Sequence, residues 1–296
     1  MFGTILSTIT GILDKRFTLN SLLPTFLAGL GLVVVYETTG EGLGVGVDRF
    51  TGLDGTTQWI VAIVAVSAVT LIAVVLASQT TSLMAWFSGR SGLARWKPWG
   101  PQLMTWFDEQ RVQRRTEDPF ALGYGTRPRD WLPAAPTALG NIGVLTSEYA
   151  QWTYGMEFDT VWPRMLAITP DDAKVSITAA ESGMEQAINL SALSILFALA
   201  AEVIAVSHEA AAIVVVGLPV LALFAAYLFY RSSLTSARLW SESVRTVLDL
   251  HRGKLLEALR VPQPSSSAEE RDAWDRVSRR LRAADERPYA IDTATG

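Results

Sequence analysis

The chain has 296 residues, of which 49% are hydrophobic and only 18% charged, with a formal net charge of −4. A typical soluble domain is about 25% charged, so the deficit points to a membrane protein, and the slight acidic balance excludes a basic nucleic-acid-binding arm. Cysteine is absent and histidine is limited to His208 and His251, which excludes disulfides, iron–sulfur clusters and thiol catalysis and argues against a histidine-rich metal site.

In chain order, residues 1–16 read as an amphipathic lead-in, with Phe2, Ile5, Ile9 and Ile12 at helical spacing, suited to the inner membrane surface. Residues 17–36 form the first uncharged stretch. Roughly 20 apolar residues of helix cross a bilayer core of about 30 Å, so this is a span. A secretory signal peptide is the alternative, because Lys15 and Arg16 precede the run. The run is long for that purpose, and Val35-Tyr36-Glu37-Thr38 lacks small residues at the cleavage spacing. Pro24 either kinks the span or is a tolerated proline near a helix end.

Residues 37–58 make an extracytoplasmic loop with Gly40, Gly42, Gly44 and Gly46 at alternate positions. The third glycine of a dinucleotide fingerprint is missing and no strand–helix unit surrounds it, so a flexible loop with room for a short hairpin is expected. The second span is 59–80, uncharged from Trp59 to Ala77.

Residues 81–186 form a cytoplasmic region that opens with Trp86, Trp96 and Trp99 among Arg90, Arg95 and Lys97. Aromatics among cations can stack single-stranded nucleic acid. Beside a span, however, the headgroup layer is the better reading, so these residues and Trp59 are interface anchors. A helix restarts at Pro101 and runs to about Arg115, and 116–135 is loop. Thr137 caps a helix whose Leu139, Ile142, Leu145, Tyr149 and Trp152 share a face. Asp159 opens a shorter helix ending near Pro170.

Asp171 and Asp172 then begin one helix of roughly 36 residues, about 54 Å long at 1.5 Å per residue, whose second half is the third span, 187–206. An outer turn, 207–209, leads to the fourth span, 210–230. Leu234, Leu239, Val244, Val247, Leu248, Leu255 and Leu259 continue the helical spacing to Pro262, and Ser267 with Glu270 forms a capping box for a last helix. The C-terminal helices fill 231–286, the tail 287–296 looks disordered, and the two long helices are expected to pack as a stalk.

Every lysine and arginine except Arg49 falls on one side of these four spans, which places both termini and the central region in the cytoplasm of a bacterial plasma membrane protein. The expected fold class is therefore an all-α integral membrane protein with four transmembrane helices and helical cytoplasmic extensions.

Several segments carry a resemblance. Asp14-Lys15-Arg16-Phe17 before a span with an early Leu-Pro, Pro136-Thr137-Ala138-Leu139-Gly140-Asn141, then Tyr149, Tyr154-Gly155-Met156 and Trp162-Pro163-Arg164 are one set. Asp249-Leu250-His251-Arg252, Arg271 and Trp274 complete it. Together they resemble an uncharacterised family of bacterial, largely actinobacterial, multi-span membrane proteins. The chain departs from that pattern after Asn141, where Ile142-Gly143-Val144 stands in place of a more basic stretch. The resemblance implies no catalytic residues; it implies that function sits in the 136–164 segment and the 249–252 turn.

Few chemical constellations compete. Glu202 is the one carboxylate inside a span, five residues or roughly 7 Å from the outer turn, where either an ion path or an inexpensive near-surface carboxylate is a fair reading. Asn189 and Ser191 suit interhelical hydrogen bonds. Asp249 and His251, two residues apart on a helix, do not share a face and read as a surface charge group. No nucleophile elbow, phosphate loop or zinc motif is present, and no cofactor is expected.

Two functions are therefore carried forward. One is a homo-oligomeric assembly forming or gating a pore, with Glu202, Asn189, Ser194, Ser67 and Thr70 as its polar positions. The other is a membrane-anchored scaffold or regulatory subunit that binds a cytoplasmic protein through Trp152, Trp162, Trp240, His251 and Trp274. An enzyme ranks third, and a secondary transporter last, because no inverted repeat or broken helix pair is visible.

Overall fold

The computed structural model describes residues 21–40, 42–89, 135 and 137–286. Among these residues every regular element is helical: α1 (Leu23–Thr39), α2 (Leu43–Gly52), α3 (Gly55–Ser78), α4 (Thr80–Phe87), α5 (Ala138–Tyr154), α6 (Phe158–Ile168), α7 (Asp171–Ser207), α8 (Ala212–Ala258) and α9 (Ser267–Glu286). Helices α3, α7 and α8 are long and apolar enough to cross a membrane, and α1 with α2, bent by 108° between them, makes a fourth such stretch when taken together. This is an all-α multi-pass membrane protein. The lead-in 1–16, the anchors Arg90, Arg95, Trp96, Lys97 and Trp99, the 101–115 helix and the tail 287–296 lie outside the described residues.

The chain divides into two compact units, one formed by residues up to Phe87 with Ser182–Thr235 and the other by Ser88–Glu181 with the residues from Ser236 on. The first unit holds the apolar helices. Asp54 starts α3 by accepting the Thr57 N–H at 3.1 Å, and α3 is apolar all round, so it exposes Ile60, Ile63, Val64 and Leu71. Only 11% of its most apolar stretch is buried, as suits a helix solvated by lipid.

Within this unit α7 and α8 bury small residues, Ala198, Ala201 and Ala205 on one and Ala222 and Ala226 on the other. Small side chains let membrane helices approach until polar groups can bond across, and Ser191 Oγ donates to the Ala226 carbonyl at 2.9 Å. Pro24 sits in the first turn of α1, where its missing N–H costs nothing, so it is the tolerated proline and not a kink.

The glycine-rich loop departs from expectation. It is neither hairpin nor featureless loop but carries α2. Alternating glycine obscured the 3.6-residue period of Leu43, Val47 and Phe50. Gly42 enters at φ 100°, closed to other residues at low strain, and a methyl on Gly46 would overlap the Glu37 carboxylate.

The second unit packs α5, α6, the first turns of α7, the last turns of α8 and α9 around its own core. Met156, Met165, Ile177, Val244, Leu248, Leu255, Leu256 and Trp274 are fully or almost fully buried there. In this unit the two long helices share that core through Ile177 of α7 and Val244 and Leu248 of α8, and they also bond directly: Trp240 Nε1 donates to Glu181 Oε1 at 3.0 Å, and Ser176 and Ser243 share a hydrogen bond at 3.2 Å. Helix α8 stops at Ala258, short of Pro262, because Arg260 turns to φ 56° and the Val261 N–H closes back on the Leu256 carbonyl. The last capping box lies one residue earlier than expected. Ser266 Oγ accepts the Glu269 N–H at 3.2 Å and Glu269 accepts the Ser265 N–H at 2.8 Å, which leaves Glu270 free for another partner.

Candidate functional site

The segment 137–155 is built at both ends by residues that its sequence makes conspicuous. Thr137 accepts the Gly140 N–H at 3.1 Å and so caps α5, as its position predicts. Asn141 reaches back twice, donating to the Thr137 carbonyl at 2.6 Å and accepting the Ala135 N–H at 2.9 Å. Gly140 is buried where a methyl group would overlap the Ser88 carbonyl and Ala135, so only glycine lets the chain pass. At the far end Gly155 ends the helix at φ 75° with its N–H on the Gln151 carbonyl, and the Met156 N–H bonds to the Ala150 carbonyl, the paired bonds of a glycine C-cap. That turn lies against Arg271, whose Nη2 donates to the Trp152 carbonyl at 2.6 Å.

This framework sets two tyrosines on one carboxylate. Tyr149 and Tyr154 of α5 both donate to Asp249 Oδ1 of α8, at 2.8 and 2.7 Å. Their rings meet edge to face at 6.2 Å. Arg245 covers the Tyr149 ring at 4.7 Å and Arg252 covers the Tyr154 ring at 4.5 Å. Arg252 also donates to the Asp249 carbonyl and binds Glu270 Oε1 of α9 at 2.8 Å, while Arg245 reaches the Leu145 carbonyl at 3.2 Å. A single cluster thus fastens α5 and α9 to α8.

Burial raises the pKa of both tyrosines above the ordinary phenol value, and the hydrogen bond and negative charge of Asp249 raise it further. Burial opposes the charge of Arg252 most strongly, yet its pKa is held above the ordinary value by the hydrogen bond to Glu270 together with the charges of Tyr154, Glu270 and Asp249. Phenols pushed upward are poor proton donors near neutrality, and both hydroxyl protons are already committed. The arrangement is chemically a clamp. It is also a correction, since Asp249 is a shared acceptor and not a surface charge, and His251 stands apart from it with Nδ1 buried and without a hydrogen-bond partner.

The remaining sequence-nominated residues scatter. Asn189 bonds Thr80 at 3.2 Å, Ser194 donates to its own helix at the Leu190 carbonyl and Thr70 does the same at the Val66 carbonyl. Ser67 faces outward on α3, and Glu202 keeps Oε2 buried without a hydrogen-bond partner. No hydrogen bond joins any two of these five. Trp59 and Trp86 are largely exposed at the ends of apolar helices, as interface anchors would be.

Of the tryptophans expected at a partner surface, Trp274 is corrected to a core position. Trp274 is 0% exposed and belongs to the core, Trp162 stacks on Phe158 at 5.5 Å, and Trp240 meets the same ring edge-on at 6.4 Å. Trp152, His251, Trp162 and Trp240 are only partly exposed. Among the described residues no group of three or more His, Cys, Asp or Glu is placed to hold a metal ion. No family model matches the chain, and no curated protein or solved structure matches it either.

Proposed function

We propose that this chain is a bacterial membrane-anchored scaffold or regulatory subunit: four helices, α1, α3, α7 and α8, sit in lipid, both termini face the cytoplasm, and the second unit is the part that meets a protein partner. One observation carries the reading. Three of the five polar candidates, Thr70, Ser194 and Asn189, are bonded to their own helix or to a neighbour inside the chain, at Val66, Leu190 and Thr80, and no hydrogen bond joins any two of the five into a lining. The second unit, in contrast, is organised by a closed core and the Asp249 clamp, the kind of rigid support a recognition surface requires. The experiment is photo-crosslinking in native membranes from Leu239 and Leu250, which are exposed on α8 of that unit. One heterologous adduct, lost together with the clamp in Asp249→Ala, is expected. Adducts only with other copies of the chain oppose the scaffold.

A second reading, the homo-oligomeric pore, draws on the low burial of α3, which leaves most of that helix open to other copies. It needs Ser67 and Thr70 of α3 to meet Glu202 or Ser194 of another copy around an axis.

A further inference from the structure

Between α1 and α3, in the first unit, α2 presents an apolar face that is about half exposed. Leu43, Val47 and Phe50, at i, i+4 and i+7, share one side of the helix and are 44%, 59% and 42% exposed. Asp48, Arg49 and Gly52 occupy the other side. The helix is not free to carry this face away. At its start the Gly42 N–H bonds to the Glu37 carbonyl at 2.7 Å, and the Glu37 carboxylate lies directly against the Gly46 α-carbon. At its end Gln58 of α3 donates to the Thr51 and Leu53 carbonyls at 3.2 and 3.0 Å.

Helix α2 is therefore fastened to the ends of two apolar helices and lies at 108° to α1. A helix roughly perpendicular to a spanning helix, joined to it within a few residues, lies in the plane of the bilayer. Tyr36, at the end of α1, and Trp59, at the start of α3, are 52% and 63% exposed at this same level, where aromatic rings favour the headgroup layer.

We propose that α2 is an interfacial helix, with Leu43, Val47 and Phe50 inserted at the headgroup–acyl boundary of the leaflet at this end of the spans. Its ligand is the lipid surface itself. In this arrangement α1 crosses the membrane alone, and α2 is neither the second half of a broken span nor a water-exposed loop. Glycine at 42 has a function here, allowing the sharp entry at φ 100° that sets the helix across the end of α1.

The absence of cysteine makes the test direct. Single cysteines at Val47, Asp48, Arg49 and Phe50 of the full chain carry nitroxide labels, and the protein is reconstituted in vesicles of phosphatidylethanolamine and phosphatidylglycerol. Collision with oxygen, which enriches in lipid, is compared with collision with a water-soluble nickel chelate. The expected result is a several-fold oxygen preference at 47 and 50 and the reverse at 48 and 49. A second pair, Leu43→Cys on the apolar side and Gly52→Cys on the polar side, repeats the phase if the helix survives labelling. Equal nickel access at every position overturns the proposal in favour of a free loop. Exclusion of both reagents at 47 and 50 overturns it in favour of contact with a second copy, and oxygen preference at all six positions in favour of a helix immersed in the bilayer core.

Discussion

Replacing Asp249 with alanine removes the common acceptor of Tyr149 and Tyr154 and leaves two phenol hydroxyls, one on a nearly buried residue, without their partner. A hydrogen bond to a charged group contributes about 1.5–3 kcal/mol, and partial exposure of the cluster puts each of the two near the lower limit. The loss expected is about 2–4 kcal/mol. Asp249→Asn keeps an oxygen in place and gives up only the charge, so it should cost about 1 kcal/mol. Hydrogen exchange of the full chain in micelles reads this locally, as the opening free energy of the α5 and α9 amides. A loss below about 0.5 kcal/mol for Asp249→Ala, or equal effects of the two substitutions, would refute the clamp. The same cluster fixes a pH dependence. Both tyrosines have raised folded pKa values, so the stability they supply is complete below the ordinary phenol value of 10.0 and declines as pH climbs from there through their folded values. Ultraviolet titration should show two late-ionising phenols, which Asp249→Ala moves to lower pH.

Three further outcomes follow from individual positions. Trp274→Ala should destabilise the second unit by about 3–5 kcal/mol, seen in the same exchange experiment, because a fully buried indole leaves a cavity that α8 and α9 cannot close. Gly155→Ala should cost about 1–2 kcal/mol from the left-handed backbone alone, with a further loss because its methyl group would meet the Arg271 carbonyl at 3.0 Å; thermal unfolding in detergent measures both together. Thr137→Ala should cost about 1 kcal/mol, with faster exchange confined to the first turn of α5.

Long uniform patterns were readable. The uncharged run from Trp59 to Ala77 became the middle of α3, and the capping by Thr137 and the start at Asp171 appear where local chemistry puts them. The departures share a cause, which is that the deciding partner is distant in sequence. Three serines followed by two glutamates admit two capping registers, and the choice follows from Arg252, some 18 residues away, which binds Glu270. Tyr149 and Tyr154 look like positions on a helical face until Asp249 is found beneath both, about 100 residues later. Trp274 reads as one residue of a partner surface, yet it is the side chain that α9 buries in the core. Helix α2 was hidden by composition, since glycine at alternate positions mimics a loop, and only the approach of Glu37 explains Gly46. Tyr149 and Tyr154, Asp249 and Arg252, and Glu270 and Arg271 converge where α5, α8 and α9 meet, which the spacing alone gave no means of anticipating.

The most direct measurement is ionic current across a planar bilayer containing the purified full chain, under applied voltage and membrane tension. A scaffold predicts the conductance of protein-free lipid, with Glu202→Gln indistinguishable from the unchanged chain. Discrete unitary currents whose selectivity shifts in Glu202→Gln would contradict it and establish the oligomeric pore in its place.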